Sequence, residues 1–148
     1  MEFQKIIFLS KEDLLLGPMS QWIMKSILMD KSKEIVSRGL VVLFPEPQNK
    51  KVTDLLVLHG IPCEEKQSQE FSTEEVDEKT LILTMNFPQK VKLVEDYELQ
   101  ENVYTLKEFL DLEGDVFDPY GGDEQSYEDA YAELKDLLYQ VKKKLGWQ

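Results

Sequence analysis

The chain has 148 residues, 42% hydrophobic and 31% charged, which predicts one globular domain spanning 1–148 and leaves little room for a second. Its 29 acidic against 17 basic residues give a net charge of -12, a field that repels nucleic-acid phosphates and anionic lipid and excludes both as expected partners. One Cys (Cys63) and one His (His59) exclude an internal disulfide and a Cys/His zinc site, and the single Arg, Arg38, confines guanidinium chemistry to one side chain.

The apolar run Ile6 to Leu9 stops at Ser10-Lys11-Glu12-Asp13, too short for a signal-peptide core or a membrane span, so the cytoplasm is the expected location. That run is continuous rather than alternating, which predicts a strand buried on both faces. Ser10 to Leu16 then reads as a loop. Pro18, Met19, Trp22, Ile23 and Ile27 read as one face of a helix with Pro in its first turn. Glu34 to Ser37 and Leu40 to Phe44 are possible strand material around Arg38-Gly39, and Pro45-Glu46-Pro47 forces an extended break. Val52, Leu55 and Leu56 before Gly60 predict a helix with a glycine stop. Cys63 to Phe71 reads as polar loop, Thr73 to Val76 as a weak helix start, and Thr80 to Thr84 as a second buried strand. Phe87 to Val94 is a predicted helix, Asn102 to Thr105 a short strand, Leu106 to Leu110 a helical turn, and Gly114 to Gly122 a loop. Tyr127, Tyr131, Leu134, Leu138, Val141 and Leu145 give a long amphipathic helix ending near Gly146. Buried strands alternating with helices predict an α/β fold with a parallel sheet of about four strands.

Several phrases, taken in order, carry a resemblance. A strand runs into a loop and a helix beginning Pro18-Met19; a Ser37-x-Gly39 loop follows the second strand. Then come Leu81-Ile82-Leu83-Thr84-Met85, Val103-Tyr104-Thr105-Leu106-Lys107-Glu108-Phe109, and Asp118-Pro119-Tyr120-Gly121-Gly122 before the last helix. In this order they resemble the low-molecular-weight protein tyrosine phosphatase family, its bacterial members especially, along nearly the whole chain. The resemblance implies a three-layer sandwich around the parallel sheet. It also implies a phosphate loop of the form C-x-x-x-x-x-R-S, in which a Cys thiolate attacks phosphorus, backbone N–H groups cradle the anion and the Arg grips two oxygens.

Setting that motif on Gly17-Pro18-Met19 places the nucleophile position at Ser10 and the arginine position at Leu16. The family's glycine and asparagine fall on Glu12 and Asp13, and the hydroxyl that supports the thiolate falls on Gly17. A serine alcohol has no neighbouring His to activate it, and loss of one charge-assisted phosphate contact forfeits roughly 1.5–3 kcal/mol. Two carboxylates in the cradle add repulsion. The resemblance thus implies a divergent member without the catalytic Cys and Arg: a catalytically inactive binding or regulatory module for an unidentified protein partner, with no cofactor. The alternative is a hydrolase of the family with weak or altered phosphatase activity.

The implied ligand-binding set is Ser10, Lys11, Glu12, Asp13, Leu14, Leu15, Leu16 and Gly17, with Asp118 and Tyr120. Asp118 matches the family's general acid, while an Asx turn or a cap for the last helix explains the same Asp-Pro pair without catalysis. Tyr120 matches an aromatic residue flanking the substrate ring. Arg38 is expected to pair with Glu12 or Asp13, the competing reading being that it reaches into the crevice in place of the missing Arg. Glu12, Asp13 and Asp118, with Asp115 and Asp123 nearby, read as a solvated acidic rim in preference to a metal site. Cys63, beside Glu64 and Glu65, reads as an incidental thiol with a raised pKa. A neutral or cationic ligand in the crevice, or closure of the pocket by inward packing of Leu14 to Leu16, are further uses of such a loop.

Overall fold

The computed structural model describes residues 2–148. Strands β1 (Lys5–Ser10), β2 (Glu34–Gly39), β3 (Thr80–Thr84) and β4 (Val103–Thr105) form one sheet in the order β2-β1-β3-β4, with every neighbour parallel. Helices α1 (Leu16–Ile27), α2 (Lys50–Leu58), α3 (Phe87–Asp96), α4 (Leu106–Phe109) and α5 (Glu124–Leu145) cover it, and a 3-10 turn spans Thr73–Glu75.

The continuous apolar strands follow from burial on both faces. Ile6, Phe8, Leu81 and Leu83 join α1, α2, α4 and α5 in the larger core, whereas Ile7, Leu9 and Ile82 pack under Leu93 of α3, Phe71 and Val103 in the smaller one. Period-two alternation along β1 and β3 thus sends successive side chains to opposite layers, giving the three-layer α/β sandwich. Two of the three tyrosines of α5 are core residues, Tyr127 and Tyr131 each being 4% exposed.

β1 connects to β2 on one side of the sheet, while β3 leads to β4 on the other, so the carboxyl ends of β1 and β3 flank a point where the chain diverges. Open parallel sheets place their ligand crevices at such a point. Ser10 closes β1 there, and Met85 and Asn86 follow β3.

Two expectations about β2 are corrected. The strand runs unbroken from Glu34 through Arg38 to Gly39, and Leu40 to Phe44 form no strand. Gly39 closes against the loop after β1: a Cβ there would lie 3.0 Å from the Glu12 carbonyl carbon and 3.1 Å from the Asp13 nitrogen. The chain then turns off to bond that loop, the Leu40 N–H donating to Ser10 O at 3.0 Å and the Val41 N–H to Lys11 O at 2.8 Å.

Capping explains the element ends. Asn49 opens α2, Asn86 and Gln89 form a capping box on α3, Thr105 and Glu108 form another on α4, and Asp123 caps α5 through the Ser126 N–H. Gly146, at φ 68°, ends α5 in the left-handed region. No helix among the described residues is long and apolar enough to cross a membrane.

Candidate functional site

At the carboxyl ends of β1 and β3 lies a crevice of about 1170 Å³. Its floor is the loop from Ser10 to Leu16. One wall comes from Glu46 to Asp54 and Cys63 to Gln67, the other from Met85, Asn86, Val116, Asp118 and Tyr120. Of the set expected from sequence, Ser10 to Leu16, Asp118 and Tyr120 meet here, while Gly17 is buried behind the floor.

The loop curls around Asp13, which adopts φ 60° and is held in that left-handed conformation from three directions. Its N–H donates to Ser10 Oγ at 3.2 Å, and its Oδ2 accepts from the Gln69 N–H at 2.9 Å and from Lys66 Nζ at 2.6 Å. The Asp13 side chain is fully buried, and its other oxygen, Oδ1, has no hydrogen-bond partner among the described residues. Gly17 matters here for space, because a Cβ on it would lie 2.9 Å from Ser10 Oγ and 3.6 Å from Asp13 Oδ1. Of the loop N–H groups from Lys11 to Gly17, only that of Asp13 finds an acceptor among the described residues. The floor therefore keeps unpaired backbone donors at the start of α1 while a carboxylate is buried beside them.

Leu16 is 6% exposed and belongs to the main core. Leu15 packs partly against the same core, and the Asn49 N–H donates to Leu14 O at 2.8 Å. The inward-packing reading thus holds for Leu16, while the crevice beside it stays open. Trp22 Nε1 donates to Gln48 Oε1 at 2.9 Å, and Gln48 Nε2 donates to Thr53 Oγ1 at 2.7 Å, which ties the Glu46 to Asn49 wall to both α1 and α2.

Arg38 does not face the crevice. Its Nε and Nη2 each lie 2.8 Å from Glu75 Oε1, and its Nη1 donates to Ser37 O. The expected pairing with Glu12 or Asp13 is replaced because β2 continues through position 38 and turns the side chain toward the 3-10 turn, leaving Asp13 to Lys66. His59 also lies elsewhere, 2.8 Å from Glu128 Oε2 and stacked on Tyr131 with ring centroids 4.0 Å apart.

Asp118 accepts from the Tyr120 N–H at 2.9 Å, an Asx turn, and the cap of α5 belongs to Asp123. Val116 N–H donates to Met85 O at 3.2 Å and fixes this loop against the end of β3. Burial raises the pKa of the Tyr127 phenol, and the Asp118 charge adds to the shift. Asp115 accepts from the Phe87 N–H instead of joining the rim, and no group of three or more His, Cys, Asp or Glu side chains among the described residues is arranged to hold a metal. The Cys63 thiol is raised as expected, but the cause is burial rather than its acidic neighbours.

Sequence reasoning missed the wall supplied by Glu46, Lys50, Asp54, Glu64, Glu65 and Lys66. The charge run at Glu64-Glu65-Lys66 is visible in the chain, but its placement depends on the isolated bridge between Pro47 and Gln67, a nonlocal contact without a sequence pattern.

A parallel α/β sandwich with a strand-loop-helix crevice at the divergence of its strands defines a class of anion-loop domains. The chain belongs to the low molecular weight phosphotyrosine protein phosphatase family, whose description matches residues 5–148. The low molecular weight protein-tyrosine-phosphatase PtpB of Staphylococcus aureus is 32% identical over 139 residues, covering 93% of this chain and 96% of its own. The crystal structure of the low molecular weight protein tyrosine phosphatase from T. tengcongensis aligns with a TM-score of 0.88 at 29% identity, over 96% of this chain and 99% of that one. The YwlE arginine phosphatase, as a cysteine-to-serine variant with its active-site serine phosphorylated, aligns with a TM-score of 0.86 at 27% identity, over 96% and 95% of the two chains.

Proposed function

We propose that this chain is a single-domain, cytoplasmic member of the phosphatase family that has given up thiolate-and-guanidinium chemistry and works as a binding or regulatory module. One observation carries the reading: the loop from Ser10 to Gly17 contains neither Cys nor Arg, and the chain's one arginine, Arg38, does not enter the crevice. The guanidinium of Arg38 is engaged by Glu75, and the Cys63 thiol sits on the wall, its pKa raised by burial, where it is a poor thiolate. Ser10 takes the nucleophile position and Leu16 the arginine position in this reading. A buried aliphatic side chain at the second position gives no stabilisation to a phosphoryl group in transit.

The second reading, a phosphatase of weak or altered activity, is the one the comparisons favour, since the relatives are named as phosphatases. The unpaired N–H groups of the loop support it, as does the neighbour whose active-site serine carries phosphate. On that reading Ser10 accepts a phosphoryl group and Asp118 protonates the leaving group. The chain's own side chains weigh against it, and we rest the conclusion on them. Incubation with an aryl phosphate, followed by intact-mass measurement and detection of released phenol, separates the two. The non-catalytic reading expects an unmodified chain and no phenol above the blank; a phosphate adduct on Ser10, or phenol release abolished by Ser10→Ala, overturns it.

A further inference from the structure

We propose that a single water molecule is bound on the Gly17 side of the loop, between Asp13, Gln21 of α1 and Ser37 of β2, and ties the crevice floor to both elements whatever the crevice itself binds. Among the described residues, four buried side-chain atoms have no hydrogen-bond partner, and three of them, Asp13 Oδ1, Gln21 Oε1 and Ser37 Oγ, belong to this one layer. Their residues are 1%, 7% and 0% exposed, so bulk solvent does not supply the partner. Ser37 shares the face of Ile35 on β2, pairs with Phe8 of β1, and so points into the main core beneath α1. Asp13 lies over the same face, since a Cβ on Gly39, two residues beyond Ser37, would be 3.1 Å from the Asp13 nitrogen. α1 packs on β1 and β2, and a Cβ on Gly17 in its first turn would lie 3.6 Å from Asp13 Oδ1. Gln21 is one turn further along that stripe of the helix. Helical side chains lean back over the preceding turn, which carries its amide toward Gly17 and Asp13.

None of the three atoms bonds another, so they stand further apart than one direct contact, which is the spacing a bridging molecule spans. Their types fit water. Asp13 Oδ1 and Gln21 Oε1 are acceptors, and the Ser37 hydroxyl can donate. One water that donates to the two acceptors and accepts from Ser37 satisfies all three, and roughly three bonds are what buried waters make. Leaving three buried polar atoms unpaired costs more than immobilising one water. A metal cation suits the oxygens but not the charge. Lys66 Nζ, 2.6 Å from Asp13 Oδ2, already neutralises that carboxylate, and the first turn of α1 adds partial positive charge beside it. The water links Oδ1 to α1 and β2, while Oδ2 is held by Lys66 and the Gln69 N–H. Both carboxylate oxygens then hold Asp13 at its φ of 60°.

The test is a high-resolution crystal structure of the unaltered chain, joined to magnetic relaxation dispersion of the water signal, which counts long-lived internal waters in solution. The expected density is one peak within hydrogen-bond distance of Asp13 Oδ1, Gln21 Oε1 and Ser37 Oγ. Crystals soaked in a thallium salt should show no anomalous peak there; such a peak would overturn the water in favour of a monovalent cation. The double variant Gln21→Met with Ser37→Ala keeps the size of both side chains but leaves the water one partner, and the count of internal waters should fall by one. In that variant the Asp13 amide should exchange with solvent up to about tenfold faster, because the loop loses an anchor. Tyr131→Phe removes the fourth unpartnered atom, on α5, and should leave Asp13 exchange unchanged. Density showing Gln21 Nε2 bonded directly to Asp13 Oδ1, or no peak at all, overturns the site without any substitution. Equal water counts in parent and double variant, or equal acceleration of Asp13 exchange by Tyr131→Phe, also overturns it.

Discussion

Replacing Lys66 with Met removes the cation from the buried side of the loop. Lys66 Nζ lies 2.6 Å from Asp13 Oδ2, and the two side chains are 11% and 0% exposed. Breaking a buried pair by deleting one partner costs about 3–5 kcal/mol, because the remaining charge has no compensation. Asp13 would keep only the Gln69 N–H on Oδ2, and Oδ1 already lacks a partner. Lys66 is not wholly buried, so the lower end applies, about 3 kcal/mol, or roughly 6–12 °C in Tm for a chain of this length. Urea unfolding followed by circular dichroism reads the loss directly. The double variant Asp13→Asn with Lys66→Met should recover to within about 1 kcal/mol of the unaltered chain, since Asn keeps an acceptor for Gln69 and tolerates the left-handed conformation. A Lys66→Met chain within about 1 kcal/mol of the parent would refute the argument that the pair is buried and needed.

Leu16→Arg, alone or with Ser10→Cys, should destabilise the fold by several kcal/mol, about 3 or more, because position 16 is a core position; denaturant midpoints check it. The Asp123 carboxyl is held below its usual 3.8 by the Ser126 N–H and hydroxyl. A folded pKa below the unfolded one means that this stability is present above pH 3.8 and is lost as pH falls through the folded value, so the difference in urea midpoint between the parent and Asp123→Ala should shrink on acidification through that range. Because burial raises the Cys63 thiol, iodoacetamide should alkylate it more slowly than glutathione at neutral pH; a faster rate would contradict that environment.

The layered architecture was legible because it rests on local patterns. Ile6 to Leu9 and Leu81 to Leu83 are continuous apolar runs, and the Tyr127 to Leu145 spacing marks a helix whose inner face is core. Arg38 was misplaced because the glycine after it reads as a loop signal, whereas Gly39 in fact ends a strand and admits the Glu12 and Asp13 backbone. The floor of the crevice was legible as a stretch of sequence, but its partners were not. Lys66 and Gln69 meet Asp13 from more than fifty positions away, and no periodicity announces such a contact. Asp118 shows the same division: its Asx turn is local and was foreseeable, while the capping of α5 passed to Asp123.

Loss of catalysis is read from the initial rate of p-nitrophenol release from p-nitrophenyl phosphate, compared between the parent chain and Ser10→Ala across about pH 5–8. Both rates should equal the buffer blank at every pH. Release by the parent that Ser10→Ala abolishes would contradict that loss.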